Sequence, residues 1–214
     1  MKLYSFFRSS ASYRVRIALN LKDVQYEQIP IHLRRGGGEQ LSASYKAINP
    51  QALVPALDDG GHILTQSLAI IEYLEERYPK PPLLPAEAGD RALVRSMGLV
   101  IACEIHPIQN LRVLAHLKNQ LKHTDDDVNG WARHWIELGF SALEQMVLSA
   151  PKRGAFCFGD APTLADICLV PQLINARRFG CDLSRFPTLG SIESNCMAIP
   201  AFANAAPEKQ PDAE

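Results

Sequence analysis

The chain is short of the patterns that announce metal, disulfide or membrane chemistry. Its five cysteines, Cys103, Cys157, Cys168, Cys181 and Cys196, are odd in number, far apart and free of any C-x-x-C pair. That spacing excludes a disulfide scaffold and a zinc site built on closely spaced ligand pairs, and the five are expected to be buried or half-buried thiols. The six histidines are scattered, with no H-x-x-x-H or H-E-x-x-H spacing to put two on one helical face, so no metal is expected. No apolar run approaches the ~18 residues of a membrane span, and nothing at Met1 resembles the long apolar core of a secretory signal. The expected location is the cytoplasm. A dominant sign of charge is missing as well: 22 basic and 23 acidic side chains leave a net charge of −1, which gives no electrostatic reason to bind nucleic acid or an acidic membrane. Small molecules, or a second copy of the chain, are the expected partners.

What is present is ordinary globular material, 214 residues with 47% hydrophobic and 21% charged side chains, enough for one large domain or two small ones. The first eighty or so residues alternate element types. Residues 2–6 read as a strand, 12–21 as a helix with Val15, Ala18 and Leu19 at the i, i+3, i+4 spacing, and 26–31 as a second strand, a right-handed βαβ start. After the polar loop Arg34-Arg35-Gly36-Gly37-Gly38, residues 39–46 can form a short helix that Asn49-Pro50 ends. Val54 to Leu57 and His62 to Leu64 flank Asp58-Asp59-Gly60-Gly61, a hairpin signal, and Ser67 opens a helix through Arg77. This order is that of a thioredoxin-like α/β domain, placed at residues 1–82.

Tyr78-Pro79-Lys80-Pro81-Pro82 cannot continue a helix, because each proline removes an N–H and fixes φ; the linker falls there. The rest, 83–214, reads as all-helical. Apolar residues keep a helical period over 90–121, with a kink expected at Pro107, and again over 129–148, where Trp131 and Trp135 are packing aromatics. Asp125-Asp126-Asp127 suits a helix N-terminus. Thr163 and Asp166 form a capping-box pattern, so Asp166 is read as structural rather than catalytic. Residues 207–214 are expected to be loose.

One segment has the makings of chemistry. Phe7-Arg8-Ser9-Ser10-Ala11-Ser12-Tyr13-Arg14-Val15-Arg16 follows the first strand and places hydroxyls and backbone amides where a helix begins, an arrangement that stabilises an anion. The run Ser9-Ser10-Ala11-Ser12-Tyr13-Arg14-Val15-Arg16-Ile17-Ala18-Leu19 resembles the S-S-C-x-W-R-V-R-I-A-L hallmark of the zeta-class glutathione transferases, which include maleylacetoacetate and maleylpyruvate isomerases. Ala11 replaces the cysteine and Tyr13 the tryptophan. Further matches, in order, are Asn49-Pro50, Leu53-Val54-Pro55-Ala56-Leu57, Gln66-Ser67 with the apolar helix behind it, His106-Pro107-Ile108-Gln109-Asn110, and Gly159-Asp160 before Thr163-Leu164-Ala165-Asp166. Together they span nearly the whole chain.

The resemblance implies a glutathione site made by Ser9, Ser10, Ala11, Ser12, Gln40, Val54, Pro55, Gln66 and Ser67, with His106 and Asn110 contributing from the helical region. Val54-Pro55 matches the family's cis-proline, and a proline is what a cis bond favours. Ser67, at a helix start, suits the γ-glutamyl carboxylate, although an ordinary N-cap accounts for it equally well. Gln40 is assigned to the glycyl end by resemblance alone. Ser9, with Ser10 as the alternative, is the residue expected to activate the thiol by hydrogen-bond donation, since a thiol near pKa 8.5 is only a few per cent ionised at neutral pH. Arg14 is expected to help order the site, and Arg16 to make a structural ion pair. The implied reaction is glutathione-dependent cis–trans isomerisation of a maleyl dicarboxylate, for which Arg8 beside the serines, Arg112 and Arg178 are the candidate carboxylate partners; a homodimer is implied too. Two other classes fit the fold: a general transferase that conjugates or dehalogenates small electrophiles such as haloacids, and a non-catalytic assembly module. The joint presence of Ser9, Val54-Pro55 and Gln66-Ser67 argues against the module.

Overall fold

The computed structural model describes residues 1–214. It divides into two compact units, Met1–Pro82 together with Ala198–Glu214, and Leu83–Met197. Residues 198–214, assigned to the helical region by their order in the chain, therefore pack with the first unit.

In the first unit, β1 (Lys2–Ser5) and β2 (Glu27–Pro30) pair in parallel across α1 (Ser10–Leu21), the βαβ start expected of the sequence. β3 (Ala56–Asp59) runs antiparallel to β1 and pairs with β4 (His62–Thr65), giving the order β2-β1-β3-β4. Gly60 and Gly61 make the hairpin because both turn residues need positive φ, 61° and 95°, which glycine adopts without steric cost. The Asp58 carboxylate accepts the Gly61 N–H at 2.8 Å. Between β2 and β3, the expected helix over 39–46 is a single tight turn at Glu39–Leu41 followed by α2 (Ala43–Ile48), because the Ser42 side chain caps the Tyr45 N–H and restarts the helix there. α3 (Ser67–Arg77) occupies the expected range.

α1 is buried over Ser10–Leu19, including two serines and two arginines that amphipathic reasoning would leave outside. The reason lies at the other end of the chain. α1 packs against α3 and also against α9 (Pro200–Ala203), so it has no wet face. Tyr13 Oη donates to the Phe202 carbonyl at 3.1 Å and Asn20 Nδ2 to that of Ala201 at 3.0 Å. Residues 207–214 are not loose: Gln210 is buried with its amide on the Asn204 and Ala206 carbonyls, Asp212 accepts from Phe7 and Gln28, and Glu214 pairs with Arg35 and His32. Their polar composition hid this, because they dock through hydrogen bonds and not through an apolar stripe.

In the second unit, α4 (Ala88–Leu99) and α8 (Pro187–Met197) pack against α7 (Leu164–Arg178), whose residues are buried almost all round, and α6 (Asp125–Leu148) packs against α8. The single kinked helix expected over 90–121 is two helices. α4 widens into one π-helical stretch, Val100–Ile105, where the His106 N–H reaches back to the Ile101 carbonyl, and α5 (Leu111–Asn119) starts afresh after Pro107. Proline removes a donor and its ring clashes with the carbonyl one turn earlier, which the wider turn relieves. Thr124 and Asp127 cap α6, four residues ahead of the expected start at 129. The Asp166 carboxylate accepts from the Thr163 N–H and hydroxyl and from the Cys157 N–H at 2.7, 2.8 and 2.8 Å, the structural role expected of it. Trp131 and Trp135 stack edge to face, and Trp131 Nε1 donates to the Ile108 carbonyl.

Candidate active site

The sheet register brings four chain segments to one edge. Ser5 lies opposite Pro30, and Tyr4 opposite Ala56, which in turn faces Thr65. The ends of β1, β2 and β4 and the start of β3 are therefore side by side. The segments that leave or enter there carry Arg8 to Ser12, Gln40, Val54-Pro55 and Gln66-Ser67, all of the sequence candidates in this unit.

Ser9 is the N-cap of α1, with φ −72° and ψ 117°. Its Oγ accepts the Ser12 N–H at 3.2 Å, and regular helix bonding begins with Tyr13 donating to the Ser9 carbonyl at 2.9 Å. Ser9 is half-buried, and its hydroxyl proton remains available to an anion; Ser10 and Ala11 at the helix head are buried. Ser12 is fully buried and its Oγ has no hydrogen-bond partner. Arg8 is exposed.

Val54 and Pro55 are joined by a cis peptide. Val54 belongs to an apolar cluster with Phe6, Phe7 and Tyr45, which locks the approach to β3 against the end of β1. The Tyr45 hydroxyl and Asn49 Nδ2 both donate to the Leu53 carbonyl at 2.7 Å, and burial pushes the Tyr45 phenol up to about 12, so it stays a donor. Gln66, exposed, has φ 68° and ψ 115°. A non-glycine residue held there costs ~1–3 kcal/mol, a strain that collects at ligand sites. Ser67 heads α3, is buried, and accepts from Arg14 Nη1 at 3.3 Å. Arg14 thus ties the start of α3 to α1, the ordering role expected of it.

Gln40 sits folded under the glycine loop. Its Nε2 donates to the Leu33 carbonyl at 3.3 Å, its Oε1 is buried without a partner, and a Cβ on Gly38 would lie 2.6 Å from its amide nitrogen. Only glycine fits at 38, where φ is also 109°.

Arg16 corrects an expectation. Instead of an ion pair, its guanidinium collects the Ala205, Phe6 and Phe7 carbonyls and the Ser5 hydroxyl at 2.9, 3.5, 3.0 and 3.1 Å. Burial pulls its pKa down to about 10, which leaves it charged at neutral pH. Asp212 was invisible to sequence reasoning. It lies 205 positions from Phe7, whose N–H it accepts at 3.0 Å, and no local motif marks it.

The helical unit holds the remaining candidates. Asn110 caps α5 by accepting the Arg112 N–H at 3.2 Å, and Arg112 is exposed on the first turn. His106 is half-buried where the π-helical stretch ends. Arg178, exposed at the end of α7, donates to Asn175 Oδ1 at 3.1 Å. Two of the unit's thiols are poorly suited to nucleophilic work, since burial pushes Cys157 well above its usual value and Cys181 to about 11; Cys103, expected to be buried or half-buried, is exposed.

Comparison with known proteins points the same way as the geometry. The family model for the glutathione S-transferase N-terminal domain matches residues 3–82. The chain is 51% identical over 211 residues to a probable maleylacetoacetate isomerase of Vibrio cholerae, covering 99% of this chain and 97% of that one. It superposes with a TM-score of 0.97, at 49% identity and over 100% of both chains, on the holo form of a maleylpyruvate isomerase, a bacterial zeta-class glutathione transferase. A maleylacetoacetate isomerase from Anaeromyxobacter dehalogenans, solved with dicarboxyethyl glutathione and citrate in its active site, matches with a TM-score of 0.87 at 42% identity, over 100% of this chain and 97% of that one.

Proposed function

The chain belongs to the glutathione transferases, in their zeta class, and from that premise we propose that it is a glutathione-dependent isomerase that turns a maleyl acid, maleylacetoacetate or maleylpyruvate, into its fumaryl isomer. The observation that carries this reading is the convergence, at one sheet edge, of the Ser9-capped helix start, Val54 with cis-Pro55, and the buried Ser67 beside the strained Gln66.

The residues fit the tripeptide. The first turn of α3 and the Ser67 hydroxyl suit its γ-glutamyl carboxylate, Val54 its cysteinyl backbone, and Gln40 its glycyl end, where the unpartnered Oε1 can accept the glycyl N–H. Bound glutathione supplies a thiolate that adds reversibly to the maleyl double bond, leaving a single bond about which the acid rotates before the sulfur departs. Ser9 donates its hydroxyl proton as a hydrogen bond to the sulfur, and the first amides of α1 add their partial positive charge, so the ionised form is favoured at neutral pH. Ala11 offers no thiol of its own, so no protein sulfur competes at the helix head. Arg8, next in chain to Ser9, pairs with one substrate carboxylate, and Arg112 and Arg178 are the candidate partners of the second. The enzyme works as a cytoplasmic homodimer; no helix is long and apolar enough to cross a membrane.

Incubation of the protein with each cis acid, with and without glutathione, tests the reading by ultraviolet absorbance. Glutathione-dependent loss of one acid faster than the uncatalysed rate is expected. If neither acid isomerises faster with enzyme, the reading is wrong.

A further inference from the structure

The turn that carries Arg8 and Ser9 is gripped by residues that belong to neither the sulfur site nor its helix start. The Phe6 carbonyl accepts the Ser9 N–H at 3.0 Å, closing the turn, and also accepts from Arg16 Nη1. The Phe7 carbonyl takes Arg16 Nη2 at 3.0 Å, while the Phe7 N–H is taken by Asp212 Oδ2 at 3.0 Å. Both peptide planes flanking Phe7 are thus fixed, one by a buried cation and the other by a carboxylate. Each clamp is itself anchored. Gln28 Nε2 holds Asp212 Oδ1 at 2.9 Å, Arg16 Nε holds the Ala205 carbonyl at 2.9 Å, and Gln210 Nε2 holds the Ala206 carbonyl at 2.8 Å.

Resting on the assignment of Ser9 to the sulfur, we propose that Asp212 and Arg16 are positioning residues for the reaction: acting through the Phe6–Ser9 turn, they aim the Ser9 hydroxyl and the helix-head amides at the thiolate. Hydrogen-bond strength falls steeply with distance and angle, so a turn free to rock by a fraction of an ångström donates poorly on average. A loop between a strand and a helix has no ladder to prevent that rocking. One guanidinium on three consecutive residues, opposed by one carboxylate, supplies the missing rigidity. The carboxylate also offsets the cation's burial, since Asp212 favours the charged form of Arg16.

The test titrates the thiol of bound glutathione by thiolate absorbance in the full-length protein and measures kcat/KM with the cis acid. In Asp212→Ala the bound thiol pKa should rise by about one unit and kcat/KM should fall about tenfold. Affinity for S-methylglutathione, whose sulfur cannot ionise, should change less than about twofold. Asp212→Asn, which keeps an acceptor for the Phe7 N–H, should stay within about threefold of wild type. A purely structural role would lower the melting temperature and leave the thiol pKa alone, and an Asp212→Ala protein that titrates like wild type overturns the proposal. If that variant does not fold, Gln28→Leu carries the test with a smaller rise in the same direction; an unchanged pKa there overturns it equally. A wild-type protein that leaves glutathione at its free thiol value would sink the Ser9 assignment itself, so the two failures are told apart.

Discussion

Ser9 does two things with one side chain. Its oxygen accepts the Ser12 N–H and, in the proposed reaction, its proton goes to the sulfur, so a substitution there is read in both stability and rate. Ser9→Ala should cost about 1 kcal/mol of stability through the lost cap and about a hundredfold in kcat/KM through the lost donor. Ser9→Thr should keep most of both. Thermal unfolding and steady-state kinetics on the same preparations separate the two effects; wild-type activity in Ser9→Ala would move the role to Ser10 or Ser12. Arg8→Lys should raise KM for the cis acid about tenfold with a smaller change in kcat, because an ammonium cannot reproduce the planar bidentate fork; an unchanged KM would remove Arg8 from the carboxylate site. The helix starts at Ser9 and Ser67 were legible in the sequence because a serine there is a local signature, whereas the cis bond at Val54-Pro55 was legible only through the family resemblance, since a proline by itself does not select cis. Asp212 was not, since its partners are distant in sequence, and the acceptors of Arg16 were misread because neutral carbonyls leave no mark in a pattern of charges.

Elements show the same contrast between local signals and packing. The hairpin at Gly60-Gly61 and the helix Ser67–Arg77 follow from local propensity, and both stand where the sequence puts them. The π-helical stretch before Pro107 does not follow, because its register depends on what packs beside it. Gly139 of α6 is one such neighbour: a Cβ there would lie 2.4 Å from two side-chain carbons of the fully buried Ile105. Gly139→Ala should destabilise the protein by about 1–3 kcal/mol through overpacking, relieved in part by adding Ile105→Val. Gly98, buried in α4, has its nearest neighbours at an ordinary 3.6 Å, so Gly98→Ala should instead stabilise by about 0.5–1 kcal/mol. Denaturant titration of the variants checks the opposite signs. The cap of α6 gives a pH dependence. The Thr124 hydroxyl and N–H hold the Asp127 carboxyl below the usual aspartate value. A carboxyl depressed by folding adds stability that is complete above its unfolded value, about 3.9, and lost as the pH falls through the lower folded one. Amide exchange at Asp127 and Val128 should therefore accelerate as the pH falls through that interval, and Thr124→Ala, which keeps the N–H but not the hydroxyl, should shrink the pH step.

At the scale of the whole molecule, the first unit is built from two pieces of chain separated by the second. Phe202 is fully buried, and Tyr13 and Arg16 find acceptors at Phe202 and Ala205. A chain ended after Met197 would leave a buried guanidinium short of a partner, a defect worth several kcal/mol. Such a protein should lose the sheet's protection against proteolysis while residues 83–197 remain resistant; equal resistance of both would show that the return segment is dispensable. On the ribosome, this arrangement inverts the usual amino-terminus-first order of maturation. Tyr13 and Arg16 emerge long before Phe202 and Ala205 exist, whereas the helical unit is contiguous and can close as soon as it is made. The half of the protein synthesised first is thus the last to finish, and until residues 198–214 have been translated the nascent chain holds a folded helical body beside an open sheet.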